Sequence, residues 1–140
     1  MDISISNLQN KLPIPKVKIR NLVLKIIRKE KLKLITGYIN ICFTDNSAIK
    51  KLNAKFLKTR SSTDVIAFNL SDKDTKRIIL ADIAISTDSA IKNARKFKTT
   101  PGYELLLYVA HGVLHILGFN DRTRAETQLM RKKEKEYVNR

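Results

Sequence analysis

One predicted helix constrains the fold of this chain more than any other segment. Between residues 105 and 117 the chain is aliphatic except at Tyr108, His111, Gly112 and His115. Pro101 is suited to the first turn of this helix, and Gly118 is suited to its end. A helix that is apolar nearly all round must be covered by other elements on most sides. The sequence therefore predicts a domain built around a central, buried helix.

The same helix carries the only two histidines of the chain, His111 and His115. Their spacing of four residues is about one helical turn, so both imidazoles leave one face of the helix. A helix that stops at Gly118 can turn back and bring the carboxylate of Asp121 toward the two rings. Two imidazoles and a carboxylate can form a three-ligand metal site with an open fourth position, for which zinc is the default ion.

Two other interpretations of the histidine pair are weaker. Core histidines that bond to backbone carbonyls are common, but here both histidines share a face and an acidic residue follows a glycine stop. Zinc peptidases with such a helix carry a glutamate directly after the first histidine as the general base. This chain has Gly112 there, which argues against peptidase chemistry.

Charge points to the kind of partner. The chain has 28 Lys and Arg against 13 Asp and Glu, a formal charge of +15 in only 140 residues. Binding of a polyanion releases counterions and gains free energy from such an excess, so nucleic acid is the expected partner rather than a merely basic surface without one. The basic outer face of the first predicted helix is more typical of a solvated surface.

The remaining sequence signals predict a soluble protein. Cys42, the single cysteine, excludes an intrachain disulfide and is expected to be a buried small hydrophobe. The first residues lack the pattern of a signal peptide. No apolar run is long enough to cross a bilayer. We therefore expect a cytoplasmic protein that does not interact with membranes.

Hydrophobic periodicity predicts strands alternating with helices. The expected strands are 2–8, 37–44, 63–68 and 78–86, and the expected helices are 15–32, 46–57, 87–98, 101–117 and 122–137. A charged loop, 71–76, is all that separates the third and fourth strands, which predicts a hairpin. The expected fold class is α+β, a mixed, about four-stranded sheet with one hairpin packed on helices, in one domain, 1–140.

Individual positions within these elements also carry expectations. Asp82 lies inside an apolar strand and needs a hydrogen-bond partner, so it is either structural or part of a site. The last helix is expected to bury Leu129, Met130 and Val138.

The histidine segment resembles a family signature. Residues 111–121, H-G-V-L-H-I-L-G-F-N-D, are similar to H-G-x-L-H-L-x-G-Y-D-H of the YbeY family, the bacterial rRNA maturation endoribonucleases. Upstream, Leu52-Asn53, T-D-V-I-A-F at 63–68 and A-D-I-A-I-S at 81–86 are similar to the family's L-N, T-D-V-L-S-F and G-D-I-x-I-S segments. Downstream, the charged last helix has comparable residues at Glu126, Met130 and Glu134. The resemblance spans about residues 38 to 136.

This resemblance implies a zincin-like α+β fold, a zinc-like ion on three ligands, and a role in maturing ribosomal RNA ends and in ribosome quality control. The chain departs from the family at two positions. The third ligand, normally histidine, is Asp121, whose charge would make a bound water less acidic. The position of a family arginine, expected to contact the scissile region, is Leu57 by spacing, and Lys58 or Arg60 would have to supply that charge.

The leading hypothesis is a single-strand-specific endoribonuclease in which His111, His115 and Asp121 hold one divalent metal ion. Basic residues would hold phosphates, with Lys58, Arg60, Arg122 and Arg124 as candidates. Its expected partners are ribosomal RNA and a ribosomal subunit or ribosomal proteins. The alternatives are a ribosome-binding assembly factor with a structural metal and no turnover, and a zinc-dependent hydrolase of another substrate.

Overall fold

The computed structural model of the protein describes residues 1–30, 35–57, 64–70 and 77–139, without the side chains of Phe56 and Leu57. Within these residues, one four-stranded sheet packs with five α-helices. The elements in chain order are β1 (Asp2–Asn7), α1 (Lys16–Glu30), β2 (Thr36–Thr44), α2 (Asn46–Leu52), a π-helical turn (Asn53–Leu57), β3 (Val65–Asn69), β4 (Ile78–Ser86), α3 (Thr87–Phe97), α4 (Pro101–Ile116) and α5 (Arg124–Val138).

The sheet is mixed, as the sequence predicts. Its strand order is β1-β2-β4-β3. β1 runs parallel to β2, and β2 runs parallel to β4, whereas β3 and β4 are antiparallel. Parallel neighbours need a crossover connection, and α1 provides it between β1 and β2. The expected α+β class with a mixed four-stranded sheet is therefore confirmed. The predicted charged loop between β3 and β4, 71–76, lies outside the described residues.

The main core lies between one face of the sheet and the helices α1 and α4. Alternate residues of the central strands point into it, and the apolar stripe of α1 packs against them. Complete burial of an Ile or Phe side chain stabilises the fold by about 1.5–3 kcal/mol, so this layer is the main source of stability. The buried set includes Ile39, Ile41 and Phe43 of β2, Ile79, Ile83 and Ile85 of β4, and Ile19, Leu22, Val23, Ile26 and Ile27 of α1.

On part of the other face of the sheet lies α2, whose Ile49 packs with Ile66 and Ala84 in a smaller cluster. The structure also answers the question about Asp82. Asn40 lies opposite Asp82 on the neighbouring strand, and its Nδ2 donates a hydrogen bond to Asp82 Oδ1 at 2.9 Å. Asp82 therefore has a structural role in the sheet.

The helix predicted for 46–57 has the expected extent, but it is α-helical only to Leu52 and continues to Leu57 as the π-helical turn. One expectation about α5 was wrong. In α5, Leu129 was expected to be buried but is 46% exposed, while Met130 and Tyr137 are buried. Neighbouring residues on a helix point about 100° apart, so burial of Met130 turns Leu129 toward solvent.

Cys42 is half-buried, and burial raises the pKa of its thiol. The sequence predicted full burial of Cys42. Side chains alternate along a strand, and Ile41 and Phe43 point into the main core, so Cys42 points away from it. None of the described helices is long and apolar enough to span a bilayer.

Gly37 is required where β2 meets β4. Its φ is +120°, and a Cβ built there would lie 1.9 Å from the carbonyl oxygen of Ile79. Any side chain would therefore push the two strands apart, in addition to adopting a backbone conformation that L residues avoid.

We expect Gly37→Ala to lower the free energy of unfolding by about 2 kcal/mol or more, because strain and overlap add at one position. Urea denaturation followed by circular dichroism measures the change. Gly102→Ala is the matched control, since a Cβ at Gly102 meets nothing within 4 Å. Its expected effect is neutral or stabilising by up to about 1 kcal/mol. Equal stabilities of the two variants would contradict the close approach.

Candidate metal centre

Helix α4 is built to carry the histidines at its end. Thr100 caps its start by accepting a hydrogen bond from the backbone of Tyr103 at 3.2 Å, and Pro101 occupies the first turn. The helix packs against α1, α3, α5, β3 and β4. Its two histidines lie where this cover is incomplete, so both imidazoles remain partly accessible.

A left-handed glycine turn ends α4 and reverses the chain. Gly118 has φ +105°, and its N–H donates to the carbonyl of His115 at 3.0 Å. The N–H of Phe119 donates to the carbonyl of Leu114 at 3.0 Å. These two bonds are the Schellman pattern, in which glycine avoids the penalty of a positive φ. The turn brings Asp121 back to the helix face that bears the histidines.

Three side chains converge at this point. Asp121 Oδ2 lies 3.5 Å from His111 Nε2 and 3.5 Å from His115 Nε2. The two imidazole rings meet edge to face, with centroids 4.6 Å apart. One potential ligand atom from each of the three residues lies within 4.8 Å of the other two. The structure thus brings together the residues expected to form the site.

The geometry and the donor set fit a divalent ion. Ligand atoms about 2.0–2.1 Å from a tetrahedral zinc ion lie about 3.4 Å from one another, which is close to the two 3.5 Å separations. Imidazole nitrogen and carboxylate oxygen are both zinc ligands. The side chains of His111, His115 and Asp121 are 26%, 30% and 41% exposed, so one side of the cluster is open to a substrate.

Glu134 of α5 contacts the ring of His111 at the nitrogen that does not face Asp121. Its Oε2 lies 2.8 Å from His111 Nδ1 and its side chain is largely buried. An ionised carboxylate only accepts, so we assign the proton to Nδ1, which leaves the Nε2 lone pair directed toward Asp121. Such a carboxylate partner orients a ligating histidine and increases its basicity.

The resemblance in the sequence gave Glu134 a position but no role. One signal could have revealed it. Glu134 follows Met130 by four residues and precedes Tyr137 by three, so it belongs to the buried face of α5. A carboxylate on a buried face needs a partner, and a histidine is a suitable one.

A glycine is needed at position 112 for a steric reason. A Cβ at this position would lie 2.9 Å from Cγ2 of Ile83 and 3.3 Å from Cγ1 of Val65. A side chain here would meet the sheet and not the space in front of the two imidazoles. The glycine lets α4 approach β4 closely, and a peptidase-type glutamate has no room at this position.

The segment that carries Asp121 is held by α5 and α1. Thr127 Oγ1 donates to the backbone carbonyl of Asp121 at 3.1 Å. Lys133 Nζ lies 4.9 Å from the centroid of the Phe119 ring and 3.0 Å from Glu30 Oε2. These contacts restrain the chain on both sides of the Gly118 turn.

Glu30 also accepts a hydrogen bond from the hydroxyl of Tyr137. Burial alone would raise the pKa of Glu30, but the bonds from Tyr137 and Lys133 outweigh it and hold that pKa below its ordinary value. Glu30 is therefore ionised at neutral pH.

A cleft of about 670 Å³ extends from the cluster along α4. The described residues that line it come from β3, α3, α4, α5 and the segments beside them. Its acidic side chains are Asp64, Glu104, Asp121 and Glu134, and its basic ones are Arg131 and Lys135 of α5. Acidic residues thus outnumber basic ones in the cleft, although the protein as a whole is strongly basic.

Tyr108 forms part of the cleft wall and is fixed by hydrogen bonds. Its hydroxyl donates to the carbonyl of Ser89 at 3.2 Å and accepts from Asn93, which also reaches Asp64 at 3.5 Å. Burial, with the nearby Asp64 carboxylate, raises the pKa of Tyr108 well above its usual range. The hydroxyl is therefore neutral at physiological pH.

Of the four basic residues expected to contact RNA, two lie within the described residues. Arg122 and Arg124 are exposed and follow Asp121 closely, but neither is among the described residues that line the cleft. Lys58 and Arg60 lie outside the described residues, as does the side chain of Leu57. The cleft instead contains Arg131 and Lys135, which the sequence prediction missed. Their spacing of four residues on α5 is the signal that could have paired them.

An α+β domain with a histidine–histidine–aspartate cluster at the mouth of a cleft is the architecture of a candidate metallohydrolase. The family model described as Endoribonuclease YbeY matches residues 4–140. The chain belongs to the YbeY endoribonuclease family.

Two relatives show how closely the chain follows this family. It is similar to Endoribonuclease YbeY of Amoebophilus asiaticus, with 36% identity over 134 residues, covering 96% of this chain and 88% of the relative. Endoribonuclease YbeY of Christiangramia forsetii is 38% identical over 119 residues, covering 85% of this chain and 80% of the relative.

A solved structure agrees with the fold. The solution structure of TM1509 from Thermotoga maritima superposes with a TM-score of 0.62 at 27% identity, covering 98% of this chain and 87% of that one. The similarity therefore extends over nearly the whole chain.

The hydrogen bond between Glu134 and His111 predicts which ring nitrogen of His111 carries the proton in protein treated with a chelator. In ¹⁵N NMR spectra, neutral His111 is expected to be protonated at Nδ1, because Glu134 accepts that proton. In Glu134→Ala the proton is expected to redistribute toward Nε2. Glu136→Ala, which removes an exposed carboxylate from the same helix, should leave the His111 signals unchanged. An Nε2-protonated ring in the unmutated protein would contradict the assignment.

Proposed function

We propose that the protein is a metal-dependent, single-strand-specific endoribonuclease that matures ribosomal RNA and takes part in ribosome quality control. The observation that carries this proposal is the convergence of His111, His115 and Asp121, of which His111 and Asp121 line an accessible cleft. The two relatives described above are both named endoribonucleases, which supports RNA as the substrate. Residues 1–140 are proposed to form one catalytic domain.

His111, His115 and Asp121 would hold one divalent ion, with zinc favoured by the two imidazole nitrogens. Such an ion, when bound, supplies a Lewis acid and an acidified water for phosphodiester hydrolysis. Glu134 keeps the His111 ring oriented toward the other two ligands. Asp121 replaces the histidine that the family signature has here, and its negative charge lowers the net charge of the loaded site.

The basic side chains would hold the RNA backbone. Arg131 and Lys135 lie on the α5 wall of the cleft, where they can neutralise phosphates on either side of the scissile bond. Arg122 and Arg124 lie just outside and extend the positive surface. Charge neutralisation by these residues should make RNA affinity fall steeply with salt, as counterion release requires.

The cellular context of the proposal rests on the family resemblance and the charge. A protein with a formal charge of +15 suits a highly anionic partner such as ribosomal RNA. We propose a ribosomal subunit or its proteins as partners and the cytoplasm as the location.

One observation favours a second candidate, a ribosome-binding assembly factor with a structural metal. Leu57 stands at the position where the family has an arginine. A purely structural site is usually closed by four protein ligands, whereas this cluster has three accessible ones. The endoribonuclease is therefore the better supported proposal.

Removal of a ligand should abolish cleavage. His115→Ala is expected to lower the rate of cleavage of a single-stranded ribosomal RNA fragment by more than the roughly 10- to 100-fold that loss of an outer-shell partner costs. A chelator should have the same effect, and added zinc should reverse it. Gel analysis of end-labelled RNA measures the rates.

Asp121→His is the matched control, because it restores the ligand type of the family signature and should retain cleavage. Cleavage that persists in His115→Ala would identify a contaminating nuclease and contradict the proposal. Thermal stabilisation by zinc without cleavage under any divalent metal would favour the assembly factor.

A further inference from the structure

The end of the cleft farthest from the candidate metal centre has no part in the proposed chemistry. It is lined by Phe97 at the end of α3 and by Thr99, Tyr103 and Glu104 at the start of α4. Glu104 precedes His111 by seven residues, which is about 10 Å along the helix axis. The whole cleft, about 670 Å³, is large enough for a ligand that reaches both ends.

Phe97 presents an aromatic ring to solvent in this part of the cleft. The residue is 58% exposed. Burying a Phe side chain would stabilise the fold by about 1.5–3 kcal/mol, so an exposed ring contributes little of that to folding. Exposed rings in a groove are the usual platforms on which nucleic-acid bases stack. Lys96 Nζ lies over the ring, 5.3 Å from its centroid, and places a cation at this end of the cleft.

Glu104 provides a polar group in the same place. The residue is only 4% exposed, and its Oε2 accepts a hydrogen bond of 2.6 Å from Thr99 Oγ1. A carboxylate repels phosphates, so the backbone of a bound nucleotide would be directed toward Arg131 and Lys135 of α5, which also line the cleft. A carboxylate accepts hydrogen bonds from O–H and N–H groups, and nucleobases carry N–H donors on their edges.

We propose that Phe97 and Glu104 form a subsite for one nucleobase of the RNA, at the end of the cleft away from the candidate metal centre. The base stacks on Phe97 and donates hydrogen bonds to Glu104. Guanine is the preferred base, because its Watson–Crick edge has two adjacent donors, N1–H and the N2 amino group. Uracil has a single donor between two carbonyl oxygens, which a carboxylate repels.

This inference rests on the proposed function, since the base belongs to the RNA that is cleaved. Glu104 also has a possible structural use, because its bond to Thr99 ties the start of α4 to the preceding turn. A structural role alone would not distinguish one base from another. Base preference is therefore the decisive readout.

The test uses the ¹⁵N-labelled protein as purified, titrated separately with guanosine, cytidine and uridine monophosphates. Their common phosphate contributes equally, so differences in affinity report the base. We expect amide shifts over residues 97–104 and tighter binding of the guanosine nucleotide, by roughly five-fold or more over uridine. Phe97→Ala should weaken guanosine nucleotide binding by roughly five-fold or more, as expected for loss of one stacked base.

Leu129→Ala is the matched control for Phe97→Ala, because Leu129 is also exposed but is not among the residues that line the cleft. It should leave nucleotide affinity unchanged. Glu104→Gln should reduce the difference between guanosine and uridine nucleotides. Since Phe97 is exposed, its variant tests the subsite even if Glu104→Gln fails to fold.

Several outcomes would overturn the subsite. These are equal affinity for all three nucleotides, shifts confined to other residues, or equal effects of Phe97→Ala and Leu129→Ala. The titration requires no cleavage and so separates the two proposals. Selective guanosine binding without RNA cleavage would uphold the subsite and contradict the endoribonuclease, whereas cleavage without base preference would do the reverse.

Discussion

The burial of α4 is the constraint on which the rest of the structure depends. A helix this apolar is stable in water only when it is covered, and here the sheet, α1, α3 and α5 provide the cover. Gly112 permits the close approach to the sheet, because any Cβ there would contact Ile83. The gap left near the end of α4 exposes one face of His111 and His115. The packing that stabilises the fold therefore also determines where a ligand can reach the histidines.

The candidate centre depends equally on how the chain leaves this helix. Gly118 turns the backbone, and the contacts of Thr127 and Lys133 with the following segment restrain it. Asp121 thus reaches both histidines from outside the helix, while Glu134 supports His111 from behind. A chain with the same three side chains but without this turn would not bring them together.

Much of the fold could be predicted because its signals are local. The stripe of α1, the alternation in β2 and the cap, proline and glycine of α4 each follow from periodicity or turn chemistry. Asp121 was also predictable, since it is the third residue after Gly118. In these cases the sequence neighbours are also the spatial neighbours.

Other features depend on packing between distant segments, which a single sequence does not encode locally. Glu134 meets His111 across 23 positions, and the pairing requires the docking of α5 on α4. Leu129 is exposed because α5 docks through the face that carries Met130 and Tyr137. The few apolar residues of this helix did not show which face that would be. The charged residues of the cleft likewise come from segments that are far apart in the chain, such as Asp64, Glu104 and Arg131.

We propose above all that three side chains of this chain hold a single ion beside an accessible cleft. Crystals of the zinc-loaded protein, measured on both sides of the zinc absorption edge, test this proposal directly. We expect one anomalous peak about 2.0–2.2 Å from His111 Nε2, His115 Nε2 and an Asp121 carboxylate oxygen. Zinc bound at full occupancy by other residues, with no peak between these three, would contradict it.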